Sequence, residues 1–347
     1  MTTERFPAET TKVRRRGSSS RRGGWLALAG AAAVTALVAG CSAGSTPTLP
    51  TVAPPSTSNA PPASTPPVRP GCDDKDVKGS RVQSYAPDSA LPPGDSAAKT
   101  LNTIKSHNKI KVGVSADNLL FGYRNPITGA LEGFDIDIVS QIAKEIFGTT
   151  KGHIEYVVEN FAQRIPDLQS GRVDLVADIM TINCTRWNQI AFSTEYFHAG
   201  QQVLVRNNAR YNDINDLNKA KAKVCTADGS TGSENLKIYK QVKPVLVNDI
   251  SDCMVLFQQG TVDGIISDNT VVAGFHAQDP YARIAGDEIT DEPYGLGIPP
   301  KNVDFVQYIN SLLDKWRTNG FLKDTYAKWL PAPAKNAPPP VYGRALP

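Results

Sequence analysis

Leu168-Gln169-Ser170-Gly171-Arg172-Val173-Asp174-Leu175-Val176 returns 89 residues later as Phe257-Gln258-Gln259-Gly260-Thr261-Val262-Asp263-Gly264-Ile265. Each copy reads as a helix end, a glycine just past it where the chain turns left-handed, and a buried strand. Two copies favour two lobes of similar topology over a tandem array, which needs more repeats; two unrelated helix–glycine–strand units would look the same. Working outward, 109–115 alternates as a strand does, 125–129 is turn-like, and Phe134–Phe147 carries apolar residues at helical spacing. Ile154–Val158 reads as a strand, 163–170 as a helix and 173–179 as a strand, an alternation that implies α/β layers. Extended runs at 200–206 and 294–298 flank the block 207–293. The expected architecture is a first lobe of 72–203 plus 295–330 and a second lobe of 207–293. Two hinge crossings join them and a ligand cleft lies between. Helical patterns at 303–316 and 321–330 complete the first lobe.

Composition narrows the function. With 20% charged and 40% hydrophobic residues the chain is ordinary globular material. Its net charge of +3 sits at the N-terminus, where seven Lys/Arg oppose Glu4 and Glu9 in the first forty residues, leaving about −2 for the rest. No basic stripe remains to meet nucleic acid. The basic stretch ends at Arg22, and residues 25–39 form an uncharged apolar run too short for a comfortable membrane span, which reads as an export signal. It closes on Val38-Ala39-Gly40-Cys41, which resembles the bacterial lipobox, whose cysteine is acylated and becomes the mature N-terminus; an ordinary signal peptide is the alternative. Ser20-Arg21-Arg22 leaves Sec or twin-arginine export open. Residues 1–40 are thus a lipoprotein signal peptide and 41–71 a disordered Ser/Thr/Pro tether that buries too little to fold. The Pro-rich 331–347 is expected to be a loose tail. Once Cys41 is lipidated, Cys72, Cys184, Cys225 and Cys253 remain, an even count that favours two disulfides in an exported chain. With no CxxC and four scattered histidines, neither metal nor cofactor is expected.

Ligands of open α/β sheets bind beyond the carboxyl ends of strands. The repeat therefore points to 178–186 after the first strand and to Ser267-Asp268 after the second. Arg186 suits a carboxylate through its planar fork, and Asp268 suits an ammonium group. Together they match the two ends of an amino acid; a surface ion pair is the bland alternative for each. Asp228-Gly229-Ser230-Thr231-Gly232 lies between a strand and a helix, where free N–H groups take anions, although a plain helix cap reads the same. It is not a P-loop, because no Lys follows the second glycine. Asp135 and Asp137 look like an EF-hand fragment without its later ligands and are read as structural.

Gly133-Phe134-Asp135-Ile136-Asp137-Ile138, the 168–175 run, Met180-Thr181-Ile182 with Arg186, Phe192-Ser193, and Val262-Asp263 with Asp268 resemble the polar amino-acid solute-binding proteins of ABC importers, across about 100–330. Glutamate/aspartate/glutamine-binding lipoproteins of actinobacteria are the most similar, and share cysteines like Cys225 and Cys253. The resemblance implies a type II periplasmic-binding-protein fold. It implies that Arg186, helped by Thr181, holds the ligand α-carboxylate, that Asp268 holds the α-ammonium, and that Arg164 meets a side-chain carboxylate. Ser230 and Thr231 contact the ligand from the second lobe, Phe161 packs on its aliphatic stem, and Ile179 is a further binding position. Where some relatives carry another Arg this chain has Ser115, with Asn118 as a substitute. Disulfides Cys225–Cys253 and Cys72–Cys184 are expected.

The implied ligand is glutamate or aspartate, with asparagine and glutamine next. The implied partner is an ABC permease with its ATPase or, alternatively, a membrane sensor, reached from a lipid anchor on the extracytoplasmic face of the cell membrane. Dehydratases share this fold, but no Ser/His/Asp set, acid/base pair or metal site is present, so an enzyme is not expected.

Overall fold

In the computed structural model, which describes residues 83–88, 97–330 and 339–347, the two copies of the repeat fold alike down to single hydrogen bonds. Gly171 (φ +71) and Gly260 (φ +74) both turn left-handed after their helices. A Cβ at either would meet nothing within 4 Å, so backbone conformation alone asks for glycine there. Asp174 donates its N–H to Lys111 O at 2.8 Å and accepts from Lys111 N at 2.9 Å through Oδ2. Asp263 repeats this with Lys223 at 2.8 and 2.7 Å. Each aspartate clasps the start of a parallel strand. That shared clasp distinguishes duplicated topology from chance similarity.

Each repeat strand is third in a five-stranded sheet. The first sheet runs Ile154–Val158, Ile110–Val114, Leu175–Val176, Gly297–Ile298 and Ala191–Phe192. The second runs Lys243–Val247, Lys223–Ala227, Gly264–Asp268, Gln201–Arg206 and Ala282–Ala285. In both, three parallel strands are followed by two joined antiparallel. The order is that of a two-lobe type II periplasmic-binding-protein fold. Helix Phe134–Phe147 lies where its spacing predicts and buries Ile138, Val139, Ile142 and Ile146, each contributing roughly 1.5–3 kcal/mol relative to exposure, with Ala143 adding under about 1 kcal/mol. Gly148 ends it in the left-handed conformation. A separate second-lobe core gathers Val203, Val205, Leu217, Val224 and Ile266.

Between the sheets, in chain order, run the outgoing strand Phe197–Ala199 and the return strand Glu292–Tyr294, paired antiparallel with Pro293 opposite His198. The crossings therefore differ from the extended runs read in the sequence. Gln201–Arg206 belongs to the second sheet, pairing with Gly264–Asp268; of the second run Tyr294 lies in the return crossing, while Gly297–Ile298 belongs to the first sheet. Both runs are extended because they are central strands; the crossing strands are three residues each, too short for a periodic signal.

Cys225 and Cys253 are joined, Cα to Cα 5.5 Å apart, tying Lys223–Ala227 to helix Ile250–Gln258. The 28-residue separation corresponds to about 3–4 kcal/mol in the chain-entropy model. Cys184 is disulfide-bonded; its expected partner Cys72 lies outside the described residues, as do the signal segment, Cys41 and the tether. The end of the chain corrects an expectation. Residues 339–347 are not loose: Arg344 stacks 4.1 Å over the Trp187 ring, Ser84 N donates to Val341 O at 3.0 Å, and Tyr342 OH donates to Asp314 at 2.6 Å.

Candidate functional site

The strands that end the two repeats lead to opposite walls of one small cleft, part of it open to solvent. The first-lobe wall carries Phe161, Arg164, Ile179, Thr181 and Arg186; the second carries Ser230, Thr231, Gly232, Ser267 and Asp268. The sequence had pointed to nine binding residues, and eight of them stand on these walls. Asn118 does not: its amide Nδ2 donates to Ser115 Oγ at 2.6 Å, and that hydroxyl donates to Asp117 Oδ1 at 2.7 Å. The Ser115–Asn118 segment thus bonds to itself, and Asp117 reaches the second lobe by accepting from Ser251 N at 3.1 Å.

Arg164 and Arg186 are 2% and 7% exposed. Arg164 opens helix Arg164–Ser170, where a cation opposes the helix dipole. Burial against neutral oxygens accounts for it: Nε donates to Phe161 O at 3.1 Å and Nη1 to Asp178 O at 2.8 Å, while the guanidinium lies 4.4 Å over the Phe161 ring. Arg186 is aimed by a short helix whose cap, Asn183 Oδ1, takes the Arg186 N–H at 2.9 Å; its Nη1 donates to Thr181 O at 2.9 Å. Both side chains reach one second-lobe atom, Gly229 O, at 3.4 and 3.2 Å through Nη2. Among the described residues neither guanidinium forms an ion pair. Burial, then the charge of Arg164, lowers the Arg186 pKa to about 9. A buried cation beside a second one calls for a carboxylate.

Ile179 sits at φ +39, a costly conformation for a β-branched residue. It is held there by Asp135 Oδ2, which accepts its N–H at 2.9 Å, while Tyr196 OH donates to Asp135 Oδ1 at 2.6 Å. Asp135 is therefore structural, and burial raises its pKa to about 6. Burial raises Asp178 to about 7, opposed by the Arg164 charge.

Asp268 stands at the N-cap of helix Asn269–Gln278 but makes no side-chain cap bond. Its Oδ2 accepts from Tyr294 OH at 2.7 Å instead. Burial raises its pKa, and the neighbouring Glu292 charge raises it further. Ser230 caps helix Thr231–Leu236, accepting from Ser233 N at 3.0 Å and donating to Ala227 O at 2.6 Å, so its hydroxyl is already committed. The walls meet at their rim. A Cβ on Gly229 would stand 2.6 Å from Ala162 Cα, and Gly229 has φ +69.

The profile of the bacterial extracellular solute-binding proteins, family 3, matches residues 110–332, which include both walls. The chain belongs to this family. The relatives that it matches are solute-binding proteins, not enzymes. The chain is 34% identical over 237 residues to the ABC transporter glutamine-binding protein GlnH of Bacillus subtilis, covering 68% of this chain and 86% of that one. It is 28% identical over 225 residues to the glutamate-binding protein GluB of Corynebacterium glutamicum, covering 62% and 76%. Among solved structures, an ancestral arginine-binding protein bound to glutamine superimposes with a TM-score of 0.60 at 32% identity, covering 64% of this chain and 97% of that one. The P235GK mutant of the Thermotoga maritima protein ArgBP gives 0.62 at 28%, covering 66% and 98%. Within this family-3 frame, Ser267 and Gly232 lie in the two loops the sequence pointed to but had been given no role of their own, while Glu292 and Tyr294 behind the wall were missed as site residues. Gly232 had a readable signal, being the second glycine of the 228–232 loop; a Cβ there would stand 2.6 Å from Thr226 Oγ1.

Proposed function

We propose that this protein captures a free polar amino acid outside the cell, with glutamate or aspartate preferred over glutamine and asparagine, and presents it to an ABC importer. One observation supports the acidic preference above all. Two buried guanidiniums face one cavity with only neutral backbone oxygens as hydrogen-bond partners, opposite a single buried carboxylate on the other wall. An acidic amino acid brings two carboxylates and one ammonium, the complement of that set. In this reading Arg186 holds the α-carboxylate, Arg164 the side-chain carboxylate and Asp268 the ammonium. Phe161 and Ile179 line the stem, and Thr231 and the backbone at Ser230 close from the second lobe. Relatives named for glutamine and for glutamate support the ligand class. Cys41 is the proposed lipid attachment, holding the protein on the extracytoplasmic face of the membrane.

A thermal-shift screen over the twenty amino acids, followed by calorimetry, tests this. A ligand at a hundred times its Kd stabilises by about 2.7 kcal/mol. Glutamate or aspartate should give the largest rise in melting temperature. A screen in which only basic or apolar amino acids shift it would overturn the acidic reading, and one in which none does would overturn amino-acid binding.

A further inference from the structure

The return strand Glu292–Tyr294 sends two side chains toward the site from behind the cavity wall. Residues two apart on a strand share a face, and Glu292 and Tyr294 are 3% and 0% exposed. Glu292 reaches the first lobe, where Thr181 Oγ1 donates to its Oε2 at 2.6 Å. Tyr294 reaches the second, where its phenol donates to Asp268 Oδ2 at 2.7 Å and is bonded to Thr270 Oγ1 at 2.9 Å. Glu292 has further partners: Oε1 accepts from Gln201 Nε2 at 3.0 Å and from Thr290 Oγ1 at 2.7 Å. Gln201 Oε1 in turn accepts from Asn235 Nδ2 at 2.9 Å, on helix Thr231–Leu236 whose first turn lines the cavity.

These bonds fix polarity. A carboxylate only accepts, so the Thr181 hydroxyl hydrogen is spent on Glu292 and Thr181 shows the cavity its lone pairs. With one oxygen of Asp268 held by the phenol, its carboxylate is oriented rather than free to turn. Two acceptors, one from each lobe, are thereby aimed into the same space by one strand. That arrangement suits a group with several N–H donors and a positive charge, and it does not suit a carboxylate.

We propose that Glu292 and Tyr294 are positioning residues for the ligand's ammonium group, holding Thr181 and Asp268 as a pair of acceptors and so setting the preference for an amino acid over the same skeleton without its amine. The proposal rests on the amino-acid reading above, and assigns Thr181 to the ammonium rather than to the α-carboxylate.

The test is a double-mutant cycle in ligand affinity, read by calorimetry. The ligands are L-glutamate, or whichever amino acid the screen ranks first, and the deaminated acid of the same skeleton, glutarate in the case of glutamate. Thr181→Val and Glu292→Leu should each weaken the amino acid about ten-fold. The double variant should stay within about three-fold of the weaker single, because the second change removes what the first has already lost. Glutarate should move less than about three-fold, and Tyr294→Phe should follow the same pattern with Asp268→Asn. Losses that multiply toward about a hundred-fold, or glutarate weakening in parallel, would overturn the positioning role. If Glu292→Leu does not fold, the Tyr294→Phe and Asp268→Asn cycle decides alone. A folded wild-type protein that binds no amino acid refutes the functional reading instead, whatever the variants do.

Discussion

The first and second sheets share strand order, the left-handed glycine and the aspartate clasp, yet the chemistry at their strand ends is opposite. The first lobe ends in two cations, Arg164 and Arg186, with the buried acids Asp178 and Glu159 near them. The second ends in one carboxylate, Asp268, and a capped loop that offers small residues and backbone. A duplicated scaffold fixes where the two ends meet, and the side chains after each strand decide what they attract. Because unlike charges sit on different lobes, a zwitterion is fully paired only when both walls touch it, which links binding to closure.

The largest effect tests the division of charge. Arg186→Ala and Asp268→Ala should weaken every amino-acid ligand by roughly 2–5 kcal/mol, or thirty- to several-thousand-fold, because each leaves a desolvated charge unpaired. Calorimetry showing either loss confined to acidic ligands would break the assignment. Gly229→Ala comes next. The contact with Ala162 should hold the rim apart and weaken all ligands by about ten-fold or more, while the left-handed φ separately lowers the thermal stability of the free protein by roughly 1–2 kcal/mol. Arg164→Gln should be smaller and selective, costing glutamate and aspartate about ten-fold more than glutamine and asparagine. Equal losses across the four would make Arg164 a scaffold residue.

The smallest effect concerns the first lobe alone. Burial, then the charge of Asp178 and contact with Asp167, pushes Glu159 up to about 9. A carboxyl raised in the folded state stabilises fully below its unfolded value, and that contribution is lost as pH rises toward 9. Glu159→Gln, which mimics the protonated form, should flatten the fall in stability over this range, by at most about 1.4 kcal/mol per pH unit. Melting curves at acid, neutral and alkaline pH that keep the wild-type slope would remove Glu159 as its cause.

Much of this was legible in the sequence, because the signals were local. Helix Phe134–Phe147 and strand Ile154–Val158 follow from spacing, and the repeat placed the two strand ends before any contact was known. Arg186 and Asp268 were readable as unlike charges after corresponding strands, and Arg164 through the family resemblance. What escaped was carried by long-range bonds between short segments. Thr181 and Glu292 are 111 residues apart, and a three-residue strand has no period to reveal it. Composition also misled at the C-terminus, where Pro-rich sequence suggests a loose tail but Arg344 finds the face of Trp187 beside Arg186. Asn118 was read as a substitute for an Arg that some relatives carry at the position of Ser115, yet it turns back on Ser115.

The rim contact at Gly229 and Ala162 has a kinetic meaning. With the lips this close and both guanidiniums reaching the Gly229 carbonyl, escape of a captured molecule should be governed by how far the lobes part. Its residence time is then bounded by the opening rate, a property of the crossing strands and of Asp117 on Ser251, more than by the contacts that chose it. Ligands that differ widely in affinity would share one ceiling on their escape rate, and a membrane partner that spreads the lips would discharge them all by the same stroke.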